Sequence, residues 1–468
     1  MGPLAIHPST GEVFFAHRSS VYRVDPDSGS VASYATGGTR LTGLQFSPDG
    51  EALFVSDAEN RSVVKIEAPR IEGRLLVTRW SASGTHSTQV LEGHVSDAVE
   101  TPALFYGGDL SPLGDQVLYC KASGWHPTMI WKLRQEIWRS DLDGENTLNL
   151  TAVSGVTGIN CLPRWSPDVG QVAFVHSDPV EGRQPCEAGF DLWVMNADGT
   201  GAYRLTQVYP SSLCWSATGD RLLCERPAVG SAGERQMISI TTDGQDLKVL
   251  ADVGTDASYS PDGSKIISSW ERVGRLNGEP GMWRQLRLTD ADGSQPRTLV
   301  EQFVRDTDAR RHLAALGKDD SEDEIGSLRL WVGPYLARWS PTGDRIIFAS
   351  ALPFRPSGVQ YKLQTELWMY EVDTGMLTQI SDDGLGEQSL SWRGANTLPD
   401  RPQVTVGNTT VSFAEVTRPG VTTVVRRSEP SDVPRGYRLL GEYYDIRTTA
   451  EYRGPVTIRM AYGIGGIR

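Results

Sequence analysis

A short motif recurs along this chain: an aromatic residue, Ser, Pro, one or two variable residues and Gly, followed by an apolar run. It reads Phe46-Ser-Pro-Asp-Gly50, Trp165-Ser-Pro-Asp-Val-Gly170, Tyr259-Ser-Pro-Asp-Gly263 and Trp339-Ser-Pro-Thr-Gly343, with apolar strands such as Ala52 to Val55 and Ile346 to Phe348 directly behind. Looser copies are Ile6-His-Pro-Ser-Thr-Gly11, Leu110-Ser-Pro-Leu-Gly114 and Trp215-Ser-Ala-Thr-Gly219, and a stub, Leu390-Ser-Trp392-Arg-Gly394, follows at the end. Pro presets one backbone angle and Gly supplies the positive φ that a tight reversal needs, so each copy predicts a β-hairpin.

A second hairpin signal follows each copy, an apolar strand ending in Asp-Gly or its equivalent. Ile137 to Gly144, Leu192 to Gly199, Ile238 to Gly244, Leu286 to Gly293 and Leu367 to Gly375 are examples. Two hairpins make four strands. The motifs are spaced by 40 to 80 residues, and the minimum matches the ~40 to 45 residues of a four-stranded propeller blade, so the excess is expected to be loop. The fold class expected is all-β, a seven-bladed β-propeller of four-stranded antiparallel blades. Because the chain starts on a first strand and ends its repeats on a stub, eight blades with one incomplete is the other closure. Arg79-Trp80-Ser-Ala-Ser-Gly84 resembles a further motif, but no apolar strand follows it, and it is not counted as a blade.

The motif pair is similar to the TolB-type propeller repeat. Trp165 to Thr206 is the clearest copy, ending in Asp198-Gly-Thr-Gly-Ala-Tyr-Arg-Leu-Thr206. The resemblance covers residues 1–395 and implies the fold; propellers of this kind serve as protein-binding platforms, as gates on peptidases and as polysaccharide lyases. Residues 396–468 form a second module of short β-rich segments. Phe413, Glu415, Gly420 to Val424, Tyr444 to Ala450 and Gly454 to Ile458 resemble a β-sandwich module of large bacterial extracellular proteins, here incomplete.

The net charge of −13, with no basic stripe, argues against nucleic acid or an anionic membrane as the main partner. No apolar run is long enough for a membrane-spanning helix. The first residues lack a basic segment followed by an apolar one, so no secretory leader is visible.

In a four-stranded meander the two hairpin turns share one face, and the connections from second to third strand and from blade to blade share the other. Most of the surplus length falls on that other face, where binding usually resides. Of 13 Trp, seven sit at repeat positions (Trp165, Trp215, Trp339 and Trp392 on first strands, Trp138, Trp193 and Trp368 on third strands) and are expected in the core. Trp125, Trp131, Trp270, Trp283 and Trp331 fall on the long connections. With His126, Lys132, His176, Asp178, Arg183, Arg272, Phe354 and Arg355 they make the candidate ligand-binding set, a stacking platform with polar tips. The alternative is that these indoles pack beneath their own loops.

No nucleophile elbow, zinc-protease helix, phosphate loop or Cys-x-x-Cys pair occurs, so no catalytic residue, metal or cofactor is assigned. His126 with Glu136, or His176 with Asp178, could in principle hold a cation, and the Asp-x-Asp-Gly turns at Asp141 and Asp290 begin like calcium loops but lack the closing ligands. The acidic run Asp319 to Glu324 reads as a solvated loop. Five Cys leave one odd thiol. Cys161 and Cys186 fall on the same face and are the candidate disulfide; Cys214 and Cys224, on adjacent strands, are the other pairing considered.

These features predict a non-catalytic, monomeric binding platform, extracellular, at the cell surface or periplasmic, that engages a protein or glycan through the long-connection face. The alternative is a propeller lyase on uronate-containing glycans with His126 and His176 near the reaction.

Overall fold

A computed structural model describes residues 2–8, 11–24, 31–36, 38–48, 50, 52–67, 70–80, 86–94, 99–100, 107–123, 134–178, 189–208, 212–227, 235–307, 310, 334–350, 365–381, 386–394, 397, 402–406, 409–418, 420, 422–427, 443–448 and 450–460. They are almost wholly β; the helix Leu150–Ser154 is a single turn, capped by Asn149 and ended by Gly155 at φ 74°. None of the described helices is long and apolar enough to cross a membrane.

The motif folds as a hairpin for a specific chemical reason. In each full copy the motif Ser accepts a hydrogen bond from the amide five residues on, as Ser166 Oγ does from Gln171 N at 2.8 Å and Ser260 Oγ from Lys265 N at 2.9 Å. The same hydroxyl donates to a turn Asp, Asp168 at 2.6 Å or, where the acid sits later, Asp344 at 2.9 Å. The turn Gly closes it, Gly343 donating its N–H to the Ser340 carbonyl at 3.0 Å with φ at 80°. The donors and acceptors of the reversal are thus satisfied within six residues.

Six sheets are assembled from these hairpins into a ring. Blade I comprises Asp109–Leu110, Gln116–Ser123, Arg134–Asp141 and Leu148–Asn149; blade II, Ile159–Trp165, Gln171–Ser177, Phe190–Asn196 and Tyr203–Val208. Blade III comprises Leu213–Trp215, Arg221–Pro227, Arg235–Thr241 and Leu247–Leu250; blade IV, Thr255–Tyr259, Lys265–Leu276, Glu279–Asp290 and Arg297–Arg305. Blade V comprises Tyr335–Trp339, Arg345–Ser350, Glu366–Glu371 and Leu377–Gln379. Blade VI takes its first strand, Gly386–Arg393, from the end of the ring and the other three, Arg70–Trp80, His86–His94 and Val99–Glu100, from before blade I. The first strands touch in the order I to VI and back to I. The fold is a β-propeller.

Among the described residues the ring therefore holds six sheets, and the expected seven is corrected. Leu390 to Trp392 is no stub: Leu390 pairs with Val77 and Trp392 with Leu75, and Trp392 is buried at 1% exposure in the core shared with blade V. The surplus between the second and third motifs, expected as loop, supplies the three partner strands. The segment ending in Arg79-Trp80 is one of them.

The first two motifs stand outside the ring. Leu4–Ile6, Val13–His17, Ser20–Val24 and Val31–Thr36 form one sheet, and Leu41–Phe46, Ala52–Asp57 and Ser62–Glu67 another, around Phe14, Leu53, Val55 and Ile66. This pair attaches to the rim of blade V. Thr36 and Ala35 pair with Leu377 and Thr378 on its outermost strand, and Met376 enters the shared core.

Beyond the ring, Gln403–Val406, Thr409–Arg418 and Glu451–Met460 form one sheet and Thr422–Arg427 and Tyr443–Thr448 a second. Val411, Phe413 and Val416 meet Val424, Ile446 and Ala450 in one small core, a two-layer arrangement.

Four thiols lie in the described residues, Cys120, Cys161, Cys214 and Cys224, and all are free. The expected partner of Cys161, Cys186, lies outside the described residues. Cys214 opposes Leu223 and Leu213 opposes Cys224, so the two sulfurs leave opposite faces of blade III and cannot meet.

Candidate functional site

The expected platform divides into what the structure describes and what it does not. Trp125, His126, Trp131, Lys132, Arg183, Trp331, Phe354 and Arg355 lie outside the described residues, as do Asp319 to Glu324. His176 and Asp178 are described, on blade II. His176 is 5% exposed, its Nδ1 within 2.9 Å of Asn160 Oδ1 and its Nε2 within 3.3 Å of Asp178, with the ring edge-on to Trp193. Both nitrogens are engaged within the blade, which leaves neither open to a substrate. Among the described residues, no three His, Cys, Asp or Glu side chains gather where they could hold a metal.

Trp270, Arg272 and Trp283 are brought together, although not on a loop. Strands two and three of blade IV continue past the ring as a twelve-pair hairpin, Lys265–Leu276 against Glu279–Asp290, reversed at Asn277 and Gly278 with φ of 53° and 85°. Asn-Gly is the sequence of a tight turn with both residues left-handed, a signal that identifies the segment as paired strand. Trp270, Arg272, Trp283 and Gln285 share one face, and Phe303 of the fourth strand opposes Trp283 at a ring separation of 4.8 Å. The Arg287 guanidinium lies 3.7 Å over the Trp270 ring, and Arg272 is exposed. Gly274, opposite Gly281, leaves room beside the Trp283 indole: a Cβ there would sit 3.4 Å from it.

Sequence reasoning missed the second feature, the axis of the ring. A funnel of about 120 Å³ is lined by the motif itself from all six blades, including Pro112, Trp165, Trp215, Pro261, Trp339 and Trp392. Beneath it is a throat of about 20 Å³ where Arg164, Arg338 and Arg393 face Asp109 and Asp256. These side chains reach the axis because of bulges in the first strands. The register slips between Cys161 and Arg164 and between Tyr335 and Arg338, with Leu162 and Leu336 at φ 51° and 54°. Blade IV has the same slip between Thr255 and Ser258, with Asp256 itself at φ 50°.

Around the throat a chain of hydrogen bonds crosses every seam. Trp165 N donates to Asp109 Oδ2 at 2.9 Å, Arg164 Nε to Leu213 O at 3.2 Å, and Ala257 N to Ser212 Oγ at 3.0 Å. Arg338 then donates Nη1 to Asp256 Oδ1 at 3.2 Å and Nε to Leu390 O at 3.1 Å. Ser391 Oγ completes the circle, donating to Asp109 Oδ1 at 2.8 Å while accepting from Leu110 N at 3.0 Å. Burial lowers the Arg164 pKa, aided by the like charges of Arg338 and Arg393 and opposed by Asp109. Burial acts against the Arg338 charge too, but Asp256, joined by Cys214 and Asp109, outweighs it and the pKa rises. The sequence signal was an Arg directly before the motif Trp in two copies, Arg164 and Arg338, and one directly after it in the last, Arg393.

No family model matches the chain. An uncharacterized protein of Agrobacterium fabrum is 26% identical over 164 residues, 34% of this chain and 48% of the relative, so the chain spans about half the length of the curated relative it matches. Among solved structures, TolB from Acinetobacter baumannii aligns with 75% of this chain and 82% of its own at 13% identity and a TM-score of 0.45. A putative TolB from Agrobacterium tumefaciens aligns with 68% and 91% at 18% identity and 0.40. The propeller domain of the Trilobed protease from Pyrococcus furiosus aligns with 74% and 86% at 12% identity and 0.36. These are likenesses of fold.

Proposed function

We propose that the protein is a binding platform, at the cell surface, in the periplasm or outside the cell, that engages a protein or glycan through the long-connection side of the propeller. The observation that supports this most directly is the blade IV arm. Trp270 and Trp283 lie on one face of a twelve-pair hairpin, flanked by Phe303 of the fourth strand, with an exposed Arg272 beside them. Aromatic faces edged by guanidinium groups stack on sugar rings and on peptide aromatics alike, and a paired hairpin holds them at little entropic cost.

The test compares the parent protein with a Trp283→Ala, Arg272→Ala double variant for binding to an array of purified glycans and for cross-linking to envelope proteins in intact cells. Loss of the partner with an unchanged melting temperature supports the reading. Undiminished binding by the folded variant removes the arm from it. Incubation of the parent with uronate polysaccharides, followed for unsaturated chain ends, decides between platform and lyase.

A further inference from the structure

The throat carries a charge imbalance. Three guanidinium groups, Arg164, Arg338 and Arg393, face two carboxylates, Asp109 and Asp256. Arg338 is taken by Asp256, and Arg393 Nη2 stands 3.7 Å from Asp109 Oδ1. Asp109 is only 4% exposed and is further occupied by Trp165 N and Ser391 Oγ. Arg164 differs: its Nε and Nη1 donate to the carbonyls of Leu213 and Pro163, at 3.2 and 2.9 Å, and no carboxylate of the described residues pairs with it. An excess positive charge enclosed by protein is costly unless a further counter-charge joins it.

We propose that the axial throat is a monoanion site in which Arg164, supported by Arg338 and Arg393, holds a single carboxylate group. The throat is small, about 20 Å³, and suits a compact group. A planar carboxylate also suits the donor fork of a guanidinium better than a spherical ion does. The same chemistry is offered by a small free acid and by the carboxylate that ends a polypeptide, which the 120 Å³ funnel above could admit end-on. This site lies on the axis, apart from the blade IV arm, and does not depend on it.

The experiment uses the full chain in a buffer free of chloride and organic acids. Calorimetry follows titration with sodium formate, sodium sulfate, and a pentapeptide of Gly and Ala with either a free or an amidated C-terminus. Formate or the free-acid peptide is expected to bind saturably, with sulfate and the amidated peptide at least tenfold weaker. Formate alone identifies a free-acid site and the peptide alone a chain-end site; equal binding of sulfate overturns the carboxylate assignment. Arg164→Met should abolish binding and, because it removes the throat's excess positive charge, should melt no lower than the parent in formate-free buffer. Arg164→Met that melts well below the parent overturns the charge argument. If Arg164→Met does not fold, Arg393→Gln, which also cancels the excess charge, must weaken formate binding at least tenfold; unchanged binding, or no binding by the parent, sinks the proposal.

Discussion

Arg338 and Asp256 meet across the seam between blades V and IV, guanidinium Nη1 to carboxylate Oδ1 at 3.2 Å, with side-chain exposures of 13% and 20%. Each reaches the other from a bulged first strand, so the pair ties two irregularities together across that seam. Removing the acid leaves a buried cation with only carbonyl partners, Ala337 O and Leu390 O. Asp256→Ala should therefore cost about 3 kcal/mol, read from the urea midpoint. Asp256→Asn keeps a side chain that tolerates φ of 50° and can still accept a hydrogen bond, and should cost roughly half as much.

Ring closure depends on a strand from the far end of the propeller. Ser391 Oγ serves both Leu110 N and Asp109 Oδ1, and the Trp392 indole donates to Glu72 O at 2.7 Å. Ser391→Ala leaves Leu110 N without its acceptor and takes one partner from Asp109, and should cost about 1–3 kcal/mol. Trp392→Ala also empties a fully packed site and should cost about 3–5 kcal/mol. Hydrogen exchange should show the loss first in Arg70–Trp80, the strand that pairs with this one; uniform loss across all blades would contradict the closure role.

The described thiols should be present but inert. Burial raises the Cys161 and Cys224 pKa values to about 12 and pushes Cys120 higher still. At pH 8 a thiol of pKa 12 is about one part in 10⁴ thiolate, so a disulfide-exchange reagent should not label these three in the native state. Denaturation should release all of them without prior reduction, mapped by mass spectrometry. A Cys161 that labels only after reduction would show that it had been paired.

Acid should loosen the outer pair of sheets. The Asp57 carboxylate accepts from Thr39 N and Thr39 Oγ at 2.8 Å, from Arg40 N at 3.2 Å and from Asn60 Nδ2 at 3.1 Å. These bonds, that from Thr39 N foremost, hold its carboxyl well below the usual carboxylate range despite burial. A depressed folded-state pKa means stability that is complete above the ordinary value near pH 4 and declines as pH falls toward the folded value. Amide protection in residues 38–60 should drop as pH is lowered from about 4 to 2. In Asp57→Asn it should be low already at pH 7 and flat with pH.

The sequence by itself determined the hairpins, because everything that makes them lies within six residues: Ser166 finds Gln171 and Asp168 without help from the rest of the chain. It also determined most of the tryptophans that build blades: Trp165, Trp215, Trp339, Trp368 and Trp392 are all 6% exposed or less, whereas Trp138 and Trp193 are half-buried. The Trp270 to Trp283 segment, expected as a long connection, is paired strand, and its Asn277-Gly278 turn is the local signal for that. The tertiary structure decided the rest. Leu390 and Val77 pair across more than 300 residues, and nothing local to either shows that strands from the two ends will make one sheet. Likewise, Arg164, Arg338 and Arg393 stand beside repeat tryptophans in sequence, but only first-strand bulges and six-fold closure turn them onto a common axis. Hairpin chemistry is short-range and legible, whereas closure is a choice of partner among equivalent edges, settled by which arrangement leaves no first strand unpaired.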